Sequence, residues 1–143
     1  MIDIKLLEQL CLCNGISGDE GNVRNLIINE IKDCADDIKT DNLGNLIVFK
    51  KGKKSAKSKL MVSAHMDEVG LMVTDITSDG YLKFDEVGGI DRRVLPGKRV
   101  CVGRNGLNGV IGVKPIHLTN GDEKTAVPKM NDMYICLLYT SPS

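Results

Sequence analysis

The feature that most constrains this chain is a change of texture near Gly70. Upstream, Ile4, Leu7, Leu10 and Cys11 recur at helical spacing within residues 3–13, and Asn14-Gly15 supplies a stop. Ser17-Gly18-Asp19-Glu20 has the Ser-x-x-Glu form of a capping box. It opens a second predicted helix whose apolar stripe is Val23, Leu26, Ile27, Ile31 and Cys34. Strands are expected near Ile38-Lys39-Thr40 and at Leu46–Phe49, around the turn Asp41–Asn45, and the apolar run Leu60-Met61-Val62 reads as a buried strand. Downstream the helices stop. Leu71–Ile76, Tyr81–Phe84, Val100–Val102 and Val110–Val113 are short β-type runs. Between them lie the turn signals Ser78-Asp79-Gly80, Gly88-Gly89, Pro96-Gly97 and Asn105-Gly106. An α/β segment followed by a small all-β barrel or sandwich is the expected organisation.

The chemistry gathers where the two textures meet. Ser63-Ala64-His65-Met66-Asp67-Glu68-Val69-Gly70 brings an imidazole and two carboxylates within four residues, just where the Leu60–Val62 strand would end. In open α/β sheets, ligands sit beyond the carboxyl ends of strands. If extended geometry persists, His65 and Asp67 point to the same side. A carboxylate beside an imidazole is the pairing that fixes the tautomer of a metal-ligating histidine. A histidine in a strand-end turn, solvated or hydrogen-bonded to its neighbour, fits the same residues, and His-x-Asp alone does not decide between the two.

Composition narrows the classes of function. Hydrophobic residues make up 42% and charged residues 27% of the 143, the balance of a globular protein. Aromatics are 3% with no Trp, so the core is expected to be aliphatic. Lys+Arg and Asp+Glu are both 19, so no global field favours nucleic acid or a membrane surface. Lys50–Lys59 is basic, but it lacks interleaved aromatics and reads as a solvated loop between strands rather than a phosphate-binding patch. The start Met1-Ile2-Asp3-Ile4-Lys5 lacks the regions of a signal peptide and no apolar run approaches a membrane span, which gives a cytoplasmic expectation. Cys11, Cys13, Cys34, Cys101 and Cys136 are odd in number and scattered, so they are expected to be reduced, small core residues. Cys11 and Cys13 face apart on a helix, which argues against a metal clip. Gly103–Gly112 is glycine-rich but leads into a strand, against a phosphate loop.

The end of the sequence departs from these patterns. Met133-Tyr134-Ile135 begins a strand, whereas Cys136–Ser143 follows nothing established earlier. It looks like translated adapter read-through, so a non-native tail over 136–143 is expected.

Taken together, certain segments carry a family likeness. They are Ser17–Arg24, Asp41–Asn45, Ser63–Gly70, Gly88-Gly89 through Val100, and Gly109–Leu118, in that order. They resemble the tetrahedral two-metal aminopeptidases, which include glutamyl and deblocking aminopeptidases and members labelled endoglucanase or cellulase. The resemblance covers residues 1–135. It implies an α/β catalytic domain, here 1–70, interrupted by a β-barrel-like oligomerisation insert, here 71–135, with the C-terminal half of the catalytic domain absent. It implies that His65 is the first metal ligand and that Asp67 is the catalytic-site acid holding that histidine. It further implies two divalent ions, zinc or cobalt, peptide substrates and a homo-oligomeric full-length protein. The remaining metal ligands and the general base follow the insert in that family, so this chain alone is expected to be inactive. His117 falls in an insert motif rather than at a ligand position, and Glu68 matches no catalytic role. A different reading of the same chain is a non-catalytic β-rich binding or oligomerisation module.

Overall fold

The computed structural model describes residues 3–54, 58–113 and 127–138. His117, Lys57 and residues 139–143 lie outside the described residues. The chain divides into two compact units, Met1–Glu68 and Val69–Ser143.

In the first unit, helix α1 spans Ile4–Leu12 and α2 spans Gly21–Ile31. Asp3 caps α1 by accepting from the backbone N–H groups of Lys5 and Leu6, which would otherwise lack partners. The expected capping box at α2 does not form. Glu20 occupies the N-cap without a side-chain cap bond, and its carboxylate accepts from Gly18 N–H at 2.6 Å instead. The hydroxyl of Ser17 is engaged elsewhere, by Asp67. Strands β1 (Asp37–Thr40) and β2 (Leu46–Phe49) form an antiparallel hairpin with Asp37 opposite Phe49. Its turn is organised by Asp41, whose carboxylate accepts from Leu43 N–H, Asn45 N–H and the Asn45 amide, each at 2.9 Å. Arg24 on α2 then donates to the Gly44 carbonyl at 2.8 Å, and Gly44 sits at φ +87, open only to glycine without strain.

Two expectations for this unit are corrected. Leu60-Met61-Val62 is neither a strand nor buried: Leu60 is 91% exposed. An apolar run becomes a buried strand only where neighbours complete its hydrogen bonds, and β1 and β2 pair with each other alone. Of the α2 stripe, Val23 is buried, Leu26, Ile27 and Ile31 are half-buried, and Cys34 is exposed beyond the helix.

The second unit is a curled five-stranded antiparallel sheet in the order β3-β4-β7-β6-β5. The strands are β3 (Gly70–Ile76), β4 (Leu82–Val87), β5 (Arg99–Val102), β6 (Leu107–Val113) and β7 (Met133–Leu137). The short β-type runs of the sequence lie within them, except that Tyr81 precedes β4. Register puts Ile135 opposite both Leu82 of β4 and Ile111 of β6. Because alternate residues share a face, Leu82, Phe84, Ile111, Met133 and Ile135 gather with Leu95 and Met130 in one core. Gly109 lies beneath that row; a Cβ there would stand 2.6 Å from Ile135 Cγ2. Lys83 Nζ reaches the Asn131 carbonyl at 2.8 Å, tying the turn before β7 to β4. The strand carries on through Cys136, opposite Val110, and Leu137, opposite Gly109.

The cysteines also depart from expectation. Cys13 is half-buried and the other four are exposed, because Cys101 and Cys136 occupy the outward positions of alternating strands and Cys11 the outward side of α1. Every described residue of Lys50–Lys59 is exposed, in keeping with a solvated loop.

Candidate functional site

The site lies in the first unit, where the segment ending at Glu68 runs beside the loop after α1. Glu68 N–H donates to the Gly15 carbonyl at 2.7 Å, and Gly15 N–H donates to Glu68 Oε1 at 3.3 Å. Ile16 and Glu68 form a parallel bridge. Gly15 makes this approach possible: a Cβ there would stand 2.5 Å from Val23 Cγ2 and 3.3 Å from the Met66 carbonyl. Glu68 thus ties two segments together and is not directed at the imidazole.

This lacing brings Ser17 to Asp67 across fifty positions of sequence. The Ser17 hydroxyl donates to Asp67 Oδ2, while Asp67 Oδ1 lies 3.1 Å from His65 Nδ1. The same Nδ1 lies 3.0 Å from the Asp67 backbone carbonyl. Both neighbours of Nδ1 are acceptors, so in the neutral ring Nδ1 carries the proton and Nε2 keeps a free lone pair. The His65 side chain is exposed and that of Asp67 partly so. The Ser17 hydrogen bond is the main reason that the Asp67 carboxyl titrates below its ordinary value, with the nearby His65 adding to it.

His65 and Asp67, paired by their spacing in the sequence, are therefore together in space. Ser17 is the residue that local reading missed, since its Ser-x-x-Glu context signals a helix cap and nothing nearby names Asp67. Chemically, the arrangement presents one imidazole nitrogen, Nε2, as a directional donor. Such a nitrogen suits one coordination position of a zinc- or cobalt-like ion. A catalytic zinc takes about three protein ligands. Among the described residues, no group of three or more His, Cys, Asp or Glu is placed to hold an ion.

Known proteins share this framework. A lysyl aminopeptidase of Pyrococcus furiosus is 39% identical over 121 residues, covering 82% of this chain and 34% of its own length. The crystal structure of a TET aminopeptidase from a marine sediment archaeon, Thaumarchaeota archaeon SCGC AB-539-E09, is 33% identical. It superposes with a TM-score of 0.86 over 96% of this chain and 38% of that one. A Pyrococcus horikoshii TET1 peptidase is 44% identical, with a TM-score of 0.77 over 94% of this chain and 40% of that one. The chain thus spans little more than a third of the length of these relatives. Residues 44–141 match the family described as M42 glutamyl aminopeptidase, and with the shared fold this places the chain in that peptidase family.

Proposed function

We propose that this chain is the His65-bearing portion of a metal-dependent aminopeptidase that removes N-terminal residues from peptides. In this reading His65 is a metal ligand through Nε2, and Asp67 is the acid that holds it. The observation that carries the reading is the double acceptor on Nδ1, from Asp67 Oδ1 and the Asp67 carbonyl, which leaves Nε2 free and directed. Two divalent ions, zinc or cobalt, would supply the polarised scissile carbonyl and an activated water. The contribution of this chain's own residues is orientation: Asp67 fixes the imidazole, and its ionised carboxylate favours a donor nitrogen over a rotating one.

The division near residue 70 fits the same reading, with 1–70 as part of the catalytic α/β domain and 71–135 as the β-rich insert. Assembly into a homo-oligomer is supported by the P. horikoshii relative, which can assemble into a tetrahedron or a large octahedral shell; assigning that assembly to the insert is part of the proposal. Further catalytic-domain elements would cover the exposed apolar residues of the first unit. Among the described residues no helix is long and apolar enough to cross a membrane, and a cytoplasmic location is part of the proposal.

The chain holds two histidines, His65 and His117, so imidazole nitrogen spectra test the assignment directly. Added cobalt is expected to perturb His65 selectively, with no release of amino acids from a peptide above the blank. Equal perturbation of both rings would remove His65 as the ligand, and turnover that His65→Ala abolishes would overturn the inactivity of the chain alone. The module reading is favoured by one observation, the separate core of the second unit. Sedimentation of the soluble chain as a discrete oligomer, without cobalt at His65, would favour it.

A further inference from the structure

We infer that Ser17 is a positioning residue that acts on His65 through Asp67, an inference that rests on the proposed role of His65 and extends it to a residue outside the motif. The geometry divides the Asp67 carboxylate between two partners. Oδ1 faces His65 Nδ1, and Oδ2 accepts from the Ser17 hydroxyl. A carboxylate held only at Oδ1 can turn about its Cβ–Cγ bond and leave the imidazole to the Asp67 backbone carbonyl alone. A second, charge-assisted hydrogen bond at Oδ2 removes that freedom.

Ser17 is itself held from outside the triad. The Gly15 carbonyl receives Glu68 N–H at 2.7 Å, Gly15 N–H binds Glu68 Oε1, and Ile16 bridges Glu68. The backbone on both sides of the Ser17–Asp67 contact is therefore fixed, so the hydroxyl meets Oδ2 without a search. Beyond Ser17, the chain turns at Gly18, whose φ of +91 admits glycine, and Glu20 closes that turn onto Gly18 N–H. The Ser-x-x-Glu motif thus builds a loop that delivers a hydroxyl to a carboxylate. This explains why Ser17 does not cap α2.

The consequence falls on the tautomer of His65. With Asp67 fixed, the Nδ1–H form is favoured and the Nε2 lone pair faces outward. The test uses the whole chain with nitrogen-labelled imidazoles, at a fixed pH where His65 is neutral. Ser17→Ala is expected to move the Nδ1–H to Nε2–H ratio of His65 about threefold or more toward Nε2–H, less than the full scale of one hydrogen bond to a charged acceptor because the effect reaches the ring through Asp67. Ser17→Thr, which keeps the hydroxyl, is expected to restore the ratio, and His117 serves as the internal reference. In an Asp67→Asn background, Ser17→Ala is expected to add little, because the effect runs through the carboxylate. Cobalt bound at His65 should weaken about tenfold in Ser17→Ala, as for other partners that orient a ligand.

An unchanged ratio in Ser17→Ala would overturn the inference, as would an equal shift in the Asp67→Asn background. If cobalt ignores His65 in the unaltered chain, the metal reading fails. A Ser17-dependent ratio in that same sample would still support positioning through Asp67. Amide spectra of β1 and β2, which share the first unit with these residues but contain none of them, check that each variant is folded.

Discussion

The two units of this chain solve the problem of burial to different extents. In the second, Ile111, Met133 and Ile135 are 1%, 0% and 2% exposed, and register across three strands sets Ile135 between Leu82 and Ile111 in one row. In the first, Val23 is the single buried hydrophobic among the described residues, while Ile4, Leu7, Leu60, Met61 and Val62 face solvent. The first unit is held by polar devices instead: the Asp3 cap, the Asp41 turn, the Arg24 clamp on Gly44 and the lacing of Gly15 with Glu68. The lesson is that chemistry and stability are separated here. The candidate site rests on hydrogen bonds in the weakly buried unit, and the apolar core lies in the unit that carries no candidate site residue.

The comparison can be broken most directly at Ile135. Ile135→Ala should destabilise the second unit by about 2–5 kcal/mol, since it removes buried methylenes and leaves a cavity between Leu82 and Ile111. Urea denaturation followed by amide signals of β6 would show it. A cost below about 1 kcal/mol would mean that the row is not the core it resembles. Next in size, Arg24→Ala should loosen the β1–β2 turn by about 1 kcal/mol, the scale of one lost hydrogen bond, read as faster hydrogen exchange at Asn45 with β6 unaffected.

Acid provides a smaller contrast. Arg93 beside Asp91 holds that carboxyl at about 2, down from the ordinary 3.8. A depressed folded value means that its contribution is complete above the ordinary value and is lost as pH falls through about 2. The pair is exposed, so added salt should flatten this acid limb in thermal denaturation of the second unit. Asp67 is lowered too, chiefly by Ser17, and Ser17→Ala should move its carboxyl resonance back up on titration. Least of all, Val62→Thr should change stability by less than about 0.5 kcal/mol, because Val62 is already in water.

Much of the second unit was legible in the sequence. Alternation in Leu82–Phe84 and Val110–Val113, with glycine-bearing turns between runs, marks strands because period two has one physical cause. What sequence could not place was β7 between β4 and β6, since pairing Ile135 with both Leu82 and Ile111 is a long-range choice. In the first unit the helices and the hairpin were legible locally. Leu60–Val62 was not: hydrophobicity states a preference for burial but does not supply the partner. Two of the three residues of the candidate site were legible as well. His65 and Asp67 are neighbours in the motif, whereas Ser17 lies fifty positions away in a pattern whose local meaning is a cap.

The position of β7 has a consequence for how this chain is made. It is the last of the described strands and the central one in the sheet, flanked by hairpins that are each local. On the ribosome, β3–β4 and β5–β6 can pair as soon as they emerge, but each then presents an open edge to solvent until Met133–Leu137 is delivered. Translation must run past Leu137 before the two hairpins become one sheet, so a pause or a stop short of Met133 would release paired but uncored ribbons to chaperones rather than a folded unit.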